Sequence, residues 1–273
     1  MRLQLGSLFA GVGGLELGFE RAARFHGFDV STVWQVESDP FARRILEKHW
    51  PTTRRFVDVV DFPPAGECDL SVDVVLGGPP CQPVSIAGQH KGEEDDRWLW
   101  PEMARICKIL EPRFVVVENV LGLLSAGAIR GGIFGNILRD LAEIGFGRIR
   151  WDCLSSADVG APTKRDRVFI VAQRSTGDLS DLEGGGMEGN GAARQQVASL
   201  PSGEGIPRRV CSRAGRGHWK AEPRVPRMVA RVPAGVDPSW RHRVRCLGNS
   251  VCPQVAEAAA HLMFEMWKGN HED

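Results

Sequence analysis

The sequence predicts an α/β fold built around an open β-sheet. Short apolar segments rich in β-branched residues alternate with amphipathic segments as far as about Arg174, and a glycine-rich turn follows the first of them. Polar side chains stand where several apolar segments end, which is typical of the ligand-binding edge of such a sheet. The predicted strands cover residues 2–7, 32–36, 56–58, 72–76, 114–120, 148–154 and 168–172, and the predicted helices cover 40–50, 98–110, 133–144 and 253–267.

Length and composition exclude several classes of protein. A chain of 273 residues suits one large domain, or one domain with a small partner. Because 34 basic residues balance 34 acidic ones, any anion-binding surface must come from local segregation of charge. Seven cysteines without paired or metal-type spacing, and no leader pattern at the amino terminus, favour a reduced cytosolic or nuclear compartment. No segment approaches the roughly 20 apolar residues of a membrane span, so we expect a soluble intracellular protein.

The glycine-rich turn at 8–19 and two carboxylates predict a nucleoside site. A strand, a turn and a helix of this kind let backbone approach a nucleotide closely, although a purely structural turn would look similar. The turn lacks the G-x-G-x-x-G spacing of dinucleotide sites, which argues against hydride transfer. Glu37 ends the second strand, where it could accept hydrogen bonds from ribose, and Asp58 ends the next, where it could accept one from adenine. Either could instead be a solvated surface residue, but together they make an adenosine-shaped site plausible.

Cys81 lies in a rigid loop, Gly77 to Ser85, at the end of the strand 72–76. Two glycines and two prolines restrict the backbone and present the next side chain in one direction. A buried structural thiol is the usual fate of a free cysteine, but this context favours a reactive one. The charged segment 91–97 that follows has the character of a mobile active-site loop, or of a plain solvated connection.

Glu118 and Asn119 end a fully apolar strand at the same predicted edge. Buried glutamates are rarely unpaired, so Glu118 is a candidate for a shifted pKa and for proton transfer, with an ion pair to an arginine as the structural alternative. Three cations at 164–167 precede the strand 168–172 and suit contact with phosphate or carboxylate.

Basic residues are concentrated near the carboxyl terminus. Residues 178–217 are glycine-rich and predicted to be irregular or partly disordered. From 205 to 245, eleven Lys or Arg residues stand against two acids, with Trp219 and Trp240 among them. Such a stretch predicts a nucleic-acid surface, with a solvated linker as the alternative. The segment 247–255 opens the last helix, with Asn249 or Ser250 as its expected cap.

Five motifs resemble, in order, those of the DNA (cytosine-5)-methyltransferases, of the bacterial or phage Dcm-like kind. They cover the chain apart from about 176–223. The motifs are Phe-Ala-Gly-Val-Gly-Gly at 9–14, Pro-Pro-Cys-Gln-Pro-Val-Ser at 79–85, Glu-Asn-Val at 118–120, Arg-Asp-Arg at 165–167 and Gly-Asn-Ser-Val-Cys-Pro-Gln-Val at 248–255. The resemblance implies a Rossmann-like S-adenosylmethionine-dependent methyltransferase fold with a small irregular target-recognition region.

The resemblance also implies a reaction. Cytosine C5 is a poor nucleophile, so the Cys81 thiolate would add at C6, and Glu118 would protonate or hydrogen-bond N3. The methyl group would pass to C5, the C5 proton would leave, and elimination would release Cys81, with S-adenosylhomocysteine as the second product. The base would be flipped out of the duplex. Arg167 would hold its ring or its O2, Arg165 a phosphate or the active-site frame, and Asn119 the loop geometry.

For the cofactor, the resemblance implies a set of residues spread along the chain, and it indicates no metal. That set is Phe9, Ala10, Gly11, Gly13, Gly14, Glu37, Ser38, Asp58, Val59, Pro80, Leu99, Asn249 and Ser250. Three positions depart from the common family pattern: Ser38 replaces a large apolar residue, Val84 a Phe and Thr163 a Gln. Because the reactive residues are all present, we expect no loss of the chemistry, whereas Ser38 bears on cofactor affinity.

We expect double-stranded DNA as the partner of a monomeric cytoplasmic protein in a prokaryotic or phage-infected cell. Residues 1–175 would form the catalytic domain, 176–245 the target-recognition region and 246–273 a segment returning to the catalytic domain. The recognised sequence should be short, since about seventy residues are small for the purpose. The expected DNA contacts are Gln82, Ser85, Arg208, Arg209, Arg213, Arg216, Arg224 and Arg227.

Three alternatives stay open at this point. A transfer RNA cytosine-5-methyltransferase would share every motif. A non-catalytic DNA-binding relative is disfavoured by Cys81 and Glu118, and a nicotinamide oxidoreductase by the glycine spacing. The loop of Cys81 should be mobile and should swing towards the flipped base when DNA binds.

Overall fold

The structure is a computed structural model that describes residues 2–67, 69–80, 98–126, 132–161, 164–175 and 240–268. A seven-stranded sheet forms its centre, with strand order β3-β2-β1-β4-β5-β7-β6. Strands β1 to β5 run parallel, and β7 runs antiparallel to both β5 and β6. The strands are β1 (Arg2–Leu8), β2 (Asp29–Val36), β3 (Arg54–Phe56), β4 (Val74–Gly77), β5 (Phe114–Val120), β6 (Arg148–Ser155) and β7 (Asp166–Gln173).

Helices cover both faces of this sheet. The alternation of side chains along β5 shows the two layers: Phe114 and Val116 pack with α1 and α6, whereas Val115 and Val117 pack with α3 and α4. A short 3-10 helix, Leu121–Ser125, follows β5. The helices are α1 (Gly14–Phe25), α2 (Pro40–His49), α3 (Trp100–Leu110), α4 (Gly132–Glu143), α5 (Trp240–Asn249) and α6 (Pro253–Lys268).

The predicted α/β alternation is confirmed, with three local corrections. The strand expected at 56–58 ends at Phe56, so Asp58 lies in the following turn, where its Oδ1 accepts a hydrogen bond from the Val60 amide at 2.9 Å. Strand β7 begins at Asp166, so Arg167 belongs to the strand and stands opposite Val120 of β5. The irregular basic stretch expected up to 245 ends in helix α5, which crosses the expected boundary at 245–246.

Asn249 and Ser250 do not cap the last helix, as the sequence had suggested. Asn249 is the last residue of α5, and the Ser250 hydroxyl donates to the Leu247 carbonyl at 2.9 Å. The expected capping chemistry occurs at α2 instead, where Asp39 accepts hydrogen bonds from the amides of Phe41 and Ala42 and Pro40 begins the helix. Among the described residues, no helix has the length and apolar character needed to span a bilayer.

Helices α1 and α6 pack closely because Gly18 has no side chain. A Cβ atom at Gly18 would lie 2.5 Å from the Ala256 Cβ and 2.5 Å from the Pro253 carbonyl oxygen. Gly135 of α4 is the opposite case, since a Cβ there would meet no atom of the described residues within 4 Å outside its own helix turn. Gly18 therefore has no room for a side chain, whereas Gly135 has room for one.

Gly18→Ala should lower the free energy of unfolding by about 1–3 kcal/mol, because the added methyl group pushes α6 away from α1. Gly135→Ala should raise it by about 0.5–1 kcal/mol, because alanine is the better helix former. Urea unfolding followed by circular dichroism measures both. Equal effects of the two substitutions would contradict the packing described here.

Candidate active site

The ends of strands β1, β2, β4 and β5 meet at a cavity of about 1130 Å³. Residues from eight described parts of the chain surround it, from the glycine turn after β1 to the end of α5. The lining includes Phe9, Gly11, Glu37, Ser38, Asp58, Val59, Pro80, Leu99, Glu118, Asn119, Arg165, Arg167, Gly248 and Asn249. The edge that the sequence predicted to hold the ligand is therefore the edge that carries the cavity.

The turn after β1 has an unusual backbone that directs two of its amides towards the end of β2. Phe9 has φ 56° and Gly11 has φ 57°, both left-handed, and such a conformation in a phenylalanine is uncommon outside functional sites. The Gly11 amide donates to Glu37 Oε2 at 2.7 Å, and the Ala10 amide donates to the Val36 carbonyl at 3.1 Å. The end of β2 therefore holds the turn in place.

Glu37 is fixed on both of its oxygens. Oε2 binds Gly11 as described, and Oε1 accepts from the Asp39 amide at 2.7 Å. Arg43 donates to the carbonyls of Glu37 and Ser38 from α2, at 2.9 and 2.7 Å. A carboxylate oxygen has capacity for more than one hydrogen bond, so each of these oxygens can still accept from a ligand.

Two further glycines let the turn pack tightly behind the cavity. A Cβ at Gly13, which has φ 86°, would lie 2.3 Å from the Trp50 ring, and one at Gly14 would lie 2.3 Å from the Val251 carbonyl oxygen. Larger residues at these positions would displace either α2 or the connection between α5 and α6. A small adjoining space beside Gly14 is lined by Ala10, Asn249 and Ser250.

Glu118 lies on the other side of the cavity, 9% exposed, at the end of β5. Burial raises the pKa of its carboxyl, and the cations of Arg167 and Arg165 oppose that rise. Arg167 Nε lies 2.8 Å from Glu118 Oε1. Glu118 therefore has both the shifted pKa and the ion pair with an arginine, whereas its part in proton transfer stays a prediction. A Cβ at Gly78 would approach Glu118 Oε2 to 3.2 Å, so the backbone of the Cys81 loop starts beside this carboxyl.

Arg165 and Asn119 support this side of the cavity. Arg165 donates from Nη1 to the Gly248 carbonyl at 2.7 Å, so it joins β7 to the end of α5. Its buried Nε has no partner among the described residues, and burial lowers its pKa. Asn119 donates from Nδ2 to the Pro79 carbonyl at 3.3 Å and accepts from the Val120 amide at 2.8 Å. Asn119 thus contacts the loop whose geometry it was expected to fix.

Comparison with known proteins identifies the family. A family model described as C-5 cytosine-specific DNA methylase matches residues 3–199. The chain belongs to this family. It is 34% identical over 165 residues to Type II methyltransferase M.NgoBI of Neisseria gonorrhoeae, an alignment that covers 60% of this chain and 48% of M.NgoBI. It is 34% identical over 187 residues to Type II methyltransferase M.AquIA of Picosynechococcus sp., covering 64% of this chain and 73% of M.AquIA.

Solved structures agree with that assignment. A crystal structure from E. coli, described as a prophage-encoded DNA modification methyltransferase, shares 29% identity at a TM-score of 0.50, over 66% of this chain and 48% of its own. Spodoptera frugiperda DNMT2 has the same fold, with 22% identity at a TM-score of 0.51, over 64% of this chain and 50% of its own. The resemblance drawn from the five motifs is confirmed, and so is the Rossmann-like methyltransferase fold. The chain spans about half the length of M.NgoBI.

The sequence predicts Asn249 as a site residue but not the helix α5 that ends with it, nor the other residues of α5 in the site. Arg245 and Cys246 line the cavity, and Arg245 forms an ion pair with Asp39 at the start of α2. From the sequence, Arg245 is expected only as part of a basic surface. Asp39, the residue before Pro40, is the feature of the sequence that could have indicated this contact. It caps α2 beside Glu37, so it lies at the ligand edge of the sheet, where a basic side chain can pair with it.

Several predicted site residues lie outside the described part of the chain. They include the proposed nucleophile and all the arginines expected to contact DNA, so the predicted swing of the loop also remains a prediction. These residues are Cys81, Gln82, Ser85, Arg208, Arg209, Arg213, Arg216, Arg224 and Arg227. Among the described residues, no cluster of three His, Cys, Asp or Glu side chains is placed to hold a metal ion.

Arg167→Met should lower the free energy of unfolding by about 3–5 kcal/mol near pH 7.5, because the substitution leaves the buried Glu118 carboxylate without its cation. The loss should shrink near pH 5.5, where protonation neutralises a carboxyl whose pKa is already raised. Urea unfolding at the two pH values measures this effect. Arg139→Met is the control, since its side chain is 61% exposed and its ion pairs should contribute about 0–1 kcal/mol. If both variants lose a similar free energy of unfolding, the buried pair of Glu118 and Arg167 stabilises the fold no more than an exposed pair does.

Proposed function

We propose that this protein methylates DNA, transferring a methyl group from S-adenosylmethionine to C5 of a cytosine flipped out of a short double-stranded target. The observation that carries the proposal is that one cavity holds two different sets of groups. The glycine turn, Glu37 and Asp58 line one side, and Glu118, Arg165 and Arg167 line the other. Its volume of about 1130 Å³ exceeds the roughly 300–1,000 Å³ of a site for one small ligand, so a cofactor and a base can share it.

The residues of the first side fit an adenosyl cofactor. Glu37 would bind the ribose hydroxyls, because both of its oxygens are fixed and retain acceptor capacity. Asp58 and Val59 would contact the adenine, and Asn249 with Ser250 the methionine end. S-adenosylmethionine, when bound, supplies an electrophilic methyl group.

The residues of the second side fit activation of a cytosine. The thiolate of Cys81 would add at C6, which moves electron density to C5. Glu118 would donate a hydrogen bond or a proton to N3, and the burial that raises its pKa favours the protonated form that this requires. Once C5 carries the methyl group, loss of the C5 proton and cleavage of the Cys81–C6 bond would restore both the base and the thiol.

The remaining parts of the proposal concern recognition. Arg167 would contact the ring or its O2, and Arg165, already bonded to Gly248, would hold the frame of the site. The region 176–245 would read the target through its arginines. We propose double-stranded DNA as the partner, in line with the C-5 cytosine-specific DNA methylase family of the chain, and we expect the protein to act as a cytoplasmic monomer.

A methyl-transfer assay with tritiated S-adenosylmethionine tests this function. The protein should label double-stranded DNA and leave transfer RNA unlabelled in parallel reactions. Cys81→Ser should abolish labelling, because a hydroxyl is a far weaker nucleophile than a thiolate, and should still bind S-adenosylhomocysteine. Labelling of transfer RNA alone would favour an RNA methyltransferase, and undiminished labelling by Cys81→Ser would refute the covalent mechanism. Bisulfite sequencing of DNA from expressing cells would then give the target.

Glu37→Gln should weaken binding of S-adenosylhomocysteine about 10- to 100-fold, because an amide nitrogen cannot accept the hydrogen bond that one of the two carboxylate oxygens now accepts. Isothermal titration calorimetry measures the affinity. Glu67→Gln is the matched control, since Glu67 pairs with Arg54 at the surface and does not line the cavity. If both variants bind as the parent does, Glu37 is not a cofactor ligand.

A further inference from the structure

A buried polar cluster lies directly behind the glycine turn. It consists of Ser7 on β1, Gln35 on β2 and Glu16 in the first turn of α1, all with 0% exposure. Ser7 and Gln35 are neighbours in the sheet register, so their side chains share the face on which α1 packs. Neither the proposed chemistry nor the cofactor contacts use Glu16.

The hydrogen bonds of this cluster are incomplete if Glu16 is ionised. Gln35 donates from Nε2 to Glu16 Oε1 at 3.1 Å. Three oxygens of the cluster, Glu16 Oε2, Gln35 Oε1 and Ser7 Oγ, are buried and have no partner among the described residues. The first two are acceptors, and a buried acceptor without a donor is costly, whereas the single Ser7 hydroxyl can donate to only one of them. One proton on Oε2 would supply the missing donor, and an acid and an amide could then pair through two hydrogen bonds.

The surroundings favour that proton. Burial raises the pKa of Glu16 to about 7, and the nearby backbone amide of Glu16 and the polar side chains of Ser7 and Gln35 only partly oppose the rise. The Glu20 carboxylate, one turn further along α1, raises the pKa as well. Strands β1 and β2 present Ser7 and Gln35, which do not titrate.

Charged groups on α6, which packs against α1, have partners of their own. Glu257 pairs with Arg21 at 4.0 Å, and the ring of His261 lies 2.8 Å from that of His26. These pairs lie on later turns of α1 than Glu16. They do not supply a cation to the cluster.

The cluster ties together the two segments that shape the cofactor side of the cavity. Glu16 follows Gly14 by two residues, and Gln35 precedes Glu37 by two. Two amides of the turn already bind the end of β2: the Ala10 amide donates to the Val36 carbonyl, and the Gly11 amide donates to the carboxylate of the following Glu37. The contact between Glu16 and Gln35 is a third link behind them. An ionised Glu16 would still accept from Gln35 Nε2, but Glu16 Oε2 would carry no proton to share with Gln35 Oε1, so this third link would be weaker.

We propose that Glu16 is a proton-dependent positioning residue: its neutral acid, paired with Gln35, holds the glycine turn in the conformation that binds the adenosyl cofactor, and loss of the proton weakens cofactor binding. The proposal rests on the function proposed above. It makes Glu16 act through the turn, since Glu16 is fully buried and does not line the cavity.

Calorimetric titration with S-adenosylhomocysteine, whose sulfur carries no charge, tests this role. Since the pKa of Glu16 is about 7, the parent should bind about tenfold more weakly at about pH 8 than at about pH 6. Glu16→Gln should bind equally at both, because glutamine keeps the shape of the neutral acid and can form both hydrogen bonds with Gln35. Glu67→Gln is the control and should keep the pH dependence of the parent, because Glu67 pairs with Arg54 at the surface, away from the cluster.

A second measurement on the parent needs no variant. Titrations near pH 8 in buffers of different ionisation enthalpy should show uptake of about one proton when S-adenosylhomocysteine binds. Equal affinity of the parent at both pH values, absence of proton uptake, or a full pH dependence in Glu16→Gln would overturn the role of Glu16 while leaving the methyltransferase function intact. A parent that binds no S-adenosylhomocysteine at either pH would overturn the proposed function together with this inference.

Discussion

The buried contact between Glu118 and Arg167 depends on the reversed direction of one strand. The parallel strands β1 to β5 deliver their last residues to the ligand edge of the sheet, and Glu118 arrives there in this way. Arg167 stands at the beginning of its strand, so a parallel β7 would carry it to the opposite edge. Because β7 runs antiparallel to β5, Arg167 stands opposite Val120 and reaches Glu118 diagonally across the pair of strands. The acid and the cations of the site therefore meet only in this topology.

The cofactor side depends on the spacing of hydrogen-bond acceptors along the end of β2. Val36 and Glu37 accept from successive amides of the turn, and Gln35 contacts Glu16 behind it. These contacts hold the turn in a conformation with positive φ at Gly11 and Gly13, which glycine adopts readily and most other residues do not. Hydrogen bonds to Val36 and Glu37 therefore help to fix the conformation of the turn. The glycine spacing of dinucleotide sites is not needed for this conformation.

The sequence predicted the parts of the site that lie at the ends of strands. Glu37 and Glu118 follow apolar segments, and the direction of such segments places both at one edge. It did not predict α5, whose residues include three arginines and a glycine and whose fold depends on contacts remote in sequence, such as the ion pair between Arg245 and Asp39. Asp58 was expected inside a strand, but β3 ends at Phe56, because its register with β2 extends only from Trp34 to Val36. The β-propensity of residues 56–58 does not show where β3 stops pairing with the neighbouring strand β2.

The two buried carboxyls of the site differ in their partners, and this difference separates their roles. Glu118 has a cation at 2.8 Å, so its proton affinity depends on where Arg167 points. If Arg167 turns towards the O2 of a flipped cytosine, as the proposed reaction requires, Glu118 loses the cation that lowers its pKa just when N3 needs a donor. Glu16 has the neutral groups of Ser7 and Gln35 beside it and no paired cation among the described residues, so burial is the main determinant of its pKa and the pH of the solution decides its charge. The first carboxyl can therefore respond to the substrate, whereas the second responds to the solution.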